Sequence, residues 1–228
     1  MNRSQGPILA LTASTKIVSV ALHTDARTFT DSVGAGRGCP DAAFLAARLV
    51  ESAGSTAAAL AAIVVDRGPG SYTGLRVALT FARTIAAFRP IPLHALTSVE
   101  LIAAAAWRSG DAEASRDLLV ILDARRGHDH VARLRTVDGS IVVVDAPRAV
   151  RSESSAELID GSADVVAESS VSARVEARCR DRGAGLLAPR PLDAGSMFAP
   201  ELRPMHIDPD QLEPLYLLPS YAEDPAGT

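Results

Sequence analysis

Apolar residues near the start of the chain fall into three short extended segments, 7–13, 16–23 and 27–33, close enough together to predict a β-meander. The glycine-rich stretch Gly34-Ala35-Gly36-Arg37-Gly38 ends it. Asp41 is then placed to cap a helix over 41–53, in which Phe44, Leu45, Leu49 and Val50 share one face. The β-branched run Leu60-Ala61-Ala62-Ile63-Val64-Val65 predicts a strand over 61–66. Beyond it Leu75, Val77, Leu79, Phe81, Ile85 and Phe88 recur at spacings closer to a helix, 74–88, than to a strand. A strand at 91–95 and a helix at 98–107 follow, and the polar stretch 108–116, with Gly110, reads as a linker.

The second half begins like the first. Strands are expected at 117–123 and 129–136, with Asp138-Gly139 as a two-residue hairpin turn into Ile141-Val142-Val143-Val144. Shorter helix and strand signals lie at 152–159, 162–167, 171–181 and 185–188, with proline-punctuated coil from 189 onward. Two meanders, each followed by alternating helices and strands, predict a duplicated α/β architecture. The expected division is an N-terminal lobe over 1–110 and a reduced C-terminal lobe with a proline-rich tail over 111–228.

Composition narrows the classes. The 228 residues are 47% hydrophobic, enough for a sizeable core, and no apolar run approaches the roughly 20 residues of a membrane span. The opening Met1-Asn2-Arg3-Ser4-Gln5-Gly6 lacks a secretory apolar core, so a cytoplasmic protein without a membrane contact is expected. Net charge is −4 and aromatic content 4%, which argues against a protein that grips nucleic acid alone. Cys39 and Cys179 cannot form a disulfide framework and have no metal-ligand spacing.

The chemistry concentrates in Asp66-Arg67-Gly68-Pro69-Gly70-Ser71-Tyr72-Thr73-Gly74-Leu75-Arg76, a glycine-rich turn from a strand into a helix. Gly68 and Gly70 permit special dihedrals, Pro69 stiffens the turn, and Ser71 or Thr73 can cap the first helical amides. Such a helix start can hold a phosphate, and it can equally be only a tight turn. Neither a Walker ending nor a dinucleotide fingerprint is present.

As a whole, Gly68 to Arg76 resembles the signature Gly-Pro-Gly-Ser-Phe/Tyr-Thr-Gly-Leu-Arg of the bacterial TsaB (YeaZ) family. The opening Ile8 to Thr15, Pro92-Leu93-His94-Ala95-Leu96-Thr97-Ser98-Val99, Leu119 to Arg126 and Pro214-Leu215-Tyr216-Leu217 are similar to further family segments in the same order. The resemblance implies the two-lobe actin-like, sugar-kinase-like (ASKHA) fold. It also implies an accessory subunit without catalytic residues of its own, one that pairs with the catalytic subunit TsaD. With the ATPase TsaE, that pair supports threonylcarbamoyl transfer to tRNA. ATP and magnesium would belong to the partners, tRNA would be reached only through the complex, and a homodimer is allowed. In that fold Ser14-Thr15 and Gly70-Ser71 are expected to face one another across the cleft between the lobes. The first-lobe helices, with Phe44, Leu45, Leu49, Leu75 and Leu79, are the expected partner surface.

Three departures bear on activity. Thr12-Ala13-Ser14 stands where the family usually has Asp-Thr-Ser, which removes a carboxylate that would organise a metal and phosphate. Cys39-Pro40-Asp41 replaces His-Ser-Glu, and Leu218 replaces a closing arginine. The rival reading is an autonomous ATPase or phosphotransferase with Ser14 and Gly70-Ser71 as phosphate loops. A metallopeptidase is disfavoured because His-Glu-x-x-His is absent. His128 and His130 share a strand face but have no third ligand at a recognisable spacing, so no metal is expected. Asp123 with Arg125 and Arg126 reads either as an anion site or as a turn closed by the aspartate side chain.

Overall fold

The computed structural model describes residues 6–25, 27–34 and 42–218. The opening meander is β1 (Ile8–Thr12), β2 (Ile17–His23) and β3 (Thr28–Gly34), antiparallel throughout. Helix α1 (Ala42–Ser52), β4 (Ala62–Asp66), α2 (Tyr72–Phe88), β5 (Leu93–Leu96) and α3 (Ser98–Arg108) complete the first half. The second half repeats the plan with β6 (Asp117–Arg125), β7 (His128–Val137), β8 (Ser140–Arg151), β9 (Ala163–Ala167), α4 (Ser169–Arg182) and β10 (Leu186–Leu187). Strand order is β5-β4-β1-β2-β3 in one sheet and β10-β9-β6-β7-β8 in the other. Each sheet thus has a meander on one side and two parallel strands added beside its first strand. This internal duplication is the two-lobe actin-like, sugar-kinase-like α/β fold.

The layers follow from strands buried on both faces. Leu9 and Leu11 of β1 enter a core with Leu45 and Leu49 of α1 and Leu75 and Leu79 of α2. Ile8 and Ala10, the alternate positions, point the other way into a core shared with α3 and with Leu118, Val120 and Leu122 of β6. Leu119 and Ile121 of β6 pack on Val171, Val175 and Cys179 of α4. Helix α3 therefore lies between the two sheets. Its small side chains, Ala103 and Ala104, are buried there, and a Thr97–Glu100 capping box fixes its start.

Several boundaries differ from expectation. Helix α2 starts at Tyr72, because Ser71 accepts a hydrogen bond from the Gly74 amide at 3.3 Å. Strand β8 runs to Arg151 instead of 144; it is an edge strand with both faces partly wet, so the period-2 signal fades while pairing continues. The signal at 152–159 is one 3-10 turn, Ser155–Leu158. The tail does not stay with the second lobe. After a 3-10 turn at Ala194–Phe198, β11 (Met205–His206) pairs antiparallel with β5 and covers that edge. The Leu215 amide then donates to the Arg67 carbonyl at 2.7 Å. Leu192, Ala194 and Met197 fill space between the sheets, which accounts for the return path. The expected Asp41 cap, Cys39 and the stretch 35–38 lie outside the described residues.

Candidate functional site

Strands β1 and β4 are parallel neighbours, so their C-terminal ends lie side by side, the position where open α/β sheets build sites. Asp66 closes β4 there and is fully buried. One carboxylate oxygen accepts from the Thr12 hydroxyl at 2.8 Å and the Ser14 hydroxyl at 2.6 Å. The other accepts from the Gly68 amide and the Ser98 hydroxyl, each at 2.8 Å. Burial pushes the Asp66 carboxyl above its ordinary range, while the donors from Ser14, Gly68, Ser98 and Thr12 pull against it. Thr12 thus does not leave the first turn without an acid. The acid comes from the neighbouring strand and holds three segments together.

The signature loop lies directly on that turn. The Ser71 amide donates to the Ser14 carbonyl at 2.7 Å. A Cβ on Gly70 would fall well under 3.0 Å from the Ser14 backbone, and one on Gly74 equally close to the Ala13 carbonyl oxygen. Gly70 is therefore glycine for close approach, not for the special dihedrals expected of it. Gly68 is the residue that needs them, at φ 100. Of the two hydroxyls expected to cap α2, Ser71 does so and Thr73 is exposed in the first turn.

Ser14 and Gly70 meet inside the first lobe rather than across a cleft. The groups a phosphate would use are engaged within the protein: the Gly68, Ser71 and Gly74 amides and the Ser14 hydroxyl each have a protein partner. Arg76 turns away from the loop and donates to the Tyr72 hydroxyl at 2.7 Å, and Tyr72 stacks on Tyr216 with ring centroids 4.9 Å apart.

The expected partner surface divides. Leu45, Leu49, Leu75 and Leu79 are core residues, Leu45 being 1% exposed, so they cannot meet a partner without opening the lobe. Phe44 lies one step around α1 from Leu45 and is 54% exposed. On α2 the apolar side chains outside the core are Val77 at 47% and Phe88 at 86%. Interface and core draw on the same residue types, so spacing could not separate them.

In the second lobe the Asp123 side chain accepts the Arg125 amide at 2.7 Å, the turn-closing role. His128 donates through Nδ1 to the Arg126 carbonyl, and burial lowers the affinity of His130 for a proton. Among the described residues no group of three or more side chains has metal-site geometry. Between the two histidines, Asp129 is fully buried and bound on both oxygens by Arg174 at 2.9 Å. Burial raises its carboxyl, but the Arg174 guanidinium and the Ser155 and Ser152 hydroxyls outweigh that and hold it below the usual carboxylate range. A depressed folded-state value contributes stability above the unfolded value, about pH 3.9, that is lost as pH falls through the folded one. Melting temperature is accordingly expected to drop on acidification below about pH 4 in the parent, and much less in an Asp129→Asn, Arg174→Gln double variant. Arg174→Ala alone, which leaves the carboxylate unpaired, should cost about 3 kcal/mol in chemical denaturation.

Asp66 and Ser98 lie in segments that the sequence singled out but were given no role there, and Arg174 was not named at all. An acid at the C-terminal end of a strand next to β1 is the one signal that could have pointed to Asp66.

Comparisons with known proteins bear on the fold and on what the chain resembles. Residues 42–146 match the family model described as TsaD: tRNA N6-adenosine threonylcarbamoyltransferase. A 68-residue segment is 47% identical to the tRNA threonylcarbamoyladenosine biosynthesis protein TsaB of Bacillus subtilis (strain 168), covering 30% of this chain and 28% of that protein. Another, of 93 residues, is 27% identical to the protein of the same name from Escherichia coli (strain K12), covering 41% and 39%. The chain thus aligns with less than half the length of these curated relatives. The solved structure of YeaZ from Pseudomonas aeruginosa superposes with a TM-score of 0.75 at 25% identity, over 93% of this chain and 100% of that one.

Fold and site define a two-lobe actin-like protein whose first strand-turn is closed on a buried carboxylate. With the unbroken signature loop and the relatives above, the chain is similar to the TsaB (YeaZ) proteins.

Proposed function

We propose that this chain is a non-catalytic accessory subunit in the biosynthesis of threonylcarbamoyladenosine in tRNA, working in the cytoplasm. It pairs with a TsaD-like catalytic subunit and a TsaE-like ATPase, which hold ATP and magnesium, and it acts on tRNA within that complex. The observation that carries this reading is the engagement of the loop amides and the Ser14 hydroxyl inside the first lobe, next to Asp66. Exposed Phe44, Val77 and Phe88 on the outer helices supply an apolar surface for a partner.

The rival, an autonomous ATPase of the same fold, draws support from Asp66, which brings a carboxylate to the first turn. That carboxylate already accepts four hydrogen bonds, and none of its surface is accessible. The purified chain should therefore hydrolyse no ATP above background. Magnesium-dependent turnover that vanishes in Ser71→Ala would establish the rival instead. The positive test is reconstitution of tRNA modification with TsaD and TsaE homologues, each component omitted in turn. Activity should require this chain, and modification in its absence would refute the accessory role.

A further inference from the structure

The strand that the tail adds to the first sheet sets two histidines against each other. β11 consists only of Met205 and His206, which lie opposite Ala95 and His94 of β5. The Ile207 amide donates to the Leu93 carbonyl at 3.0 Å, which makes that pair a hydrogen-bonded one and the adjoining histidines a non-hydrogen-bonded one, the arrangement that brings opposed side chains closest. Their rings meet edge to face, with centroids 5.5 Å apart. Neutral imidazoles are accommodated there, whereas two imidazolium charges directly opposed would repel.

Little stands near His94 to offset a charge. Its neighbour on β4 is the apolar Val64, and α2 packs on the opposite face of β5, against Leu93 and Ala95. On α3 Glu100 is bound by Thr97 and Arg108 pairs with Glu201, while Arg203 of the tail donates to the Pro200 and Leu202 carbonyls. Asp208 lies 4.0 Å from His206, both side chains being well exposed, and no carboxylate among the described residues acts on His94. Burial, and after it His206, lower the affinity of His94 for a proton, against the pull of a backbone hydrogen bond at Pro204. We propose that the His94–His206 pair is an acid-sensitive clasp, in which protonation of both rings drives β11 off the edge of β5. The movement is local, because Leu212, fully buried in the first-lobe core, anchors the tail beyond it. It uncovers the edge of β5 three residues before Ser98, whose hydroxyl bonds Asp66 beside the signature loop. His94 takes up its proton more readily once β11 has left, so the closed form is complete above about pH 6.5 and is lost as pH falls below that value. Such regulation goes beyond the accessory role and does not depend on it.

The test is hydrogen-exchange mass spectrometry on the full chain at about pH 7.5 and pH 5.5, with labelling times scaled for the pH dependence of intrinsic exchange. Amides over 203–207 should exchange at least about fivefold faster at the lower pH, while those of β9 keep their protection. His206→Gln, a change at an exposed position that removes one of the two charges, should cut the response to less than about twofold. His94→Gln should do the same, and if that variant fails to fold, His206→Gln decides alone. Equal scaled exchange at both pH values, an undiminished acid response in His206→Gln, or the same acceleration in β9 would each overturn the proposal. The chain is measured without any partner, so the result stands apart from success or failure of the reconstitution.

Discussion

Gly74→Ala is expected to be among the most damaging single substitutions in this chain. The added methyl would meet the Ala13 carbonyl oxygen well inside contact distance, and both partners are backbone, so neither can rotate away. Overpacking of this kind costs about 1–3 kcal/mol where side chains can yield, and more where they cannot. The change also presses on the turn that carries Ser14, whose hydroxyl and carbonyl hold Asp66 and the Ser71 amide. We expect a loss near 3 kcal/mol, seen as a melting temperature several degrees lower. Gly70→Ala should behave similarly, while Gly110→Ala, at φ 73 with open space around it, should show only the smaller cost of its backbone conformation. Parental melting of Gly74→Ala would mean that the loop does not lie against β1 as described.

Loss of partner binding without loss of folding is the second large effect. The paired change Phe44→Glu, Val77→Glu alters side chains that are 54% and 47% exposed, so circular dichroism and melting should match the parent. If these helices meet TsaD, two charges in the apolar centre of that contact should weaken the complex by about 100-fold or more. Leu45→Arg or Leu79→Glu cannot serve this purpose. Either would bury a charge in the core and abolish binding by unfolding the lobe. Parental affinity in a folded Phe44→Glu, Val77→Glu variant would move the interface to another surface.

The duplicated layout was legible because β1, β2, β4 and β6 carry dense apolar runs and the hairpin turn Asp138-Gly139 is explicit. The site was less so. Asp66 reads as the last residue of an apolar strand, and its meaning depends on hydroxyls 54, 52 and 32 residues away in the chain. Local periodicity holds no record of such contacts. For Gly70 the sequence pointed to the right residue and the wrong cause, since a close approach and a special dihedral select glycine alike. The length of β8 was hidden by exposure: an edge strand can pair for twelve residues without burying alternate positions. The return of residues 193–216 to the first lobe had no periodic signal, because a strand of two residues, a few backbone hydrogen bonds and scattered buried side chains such as Ile207 and Leu212 carry it.

That return path bears on how the chain is made. β5 waits for its edge partner, Ser19 for the Ala194 amide, and Arg67 at the signature loop for the Leu215 amide, all supplied by residues translated more than a hundred positions later. During synthesis the N-terminal lobe emerges first, yet its edge stays open and its inner face uncovered until residues 193–216 leave the ribosome. The half that carries the family signature is thus the first to be translated and the last to be completed, and a ribosome that stalls late would leave it unfinished.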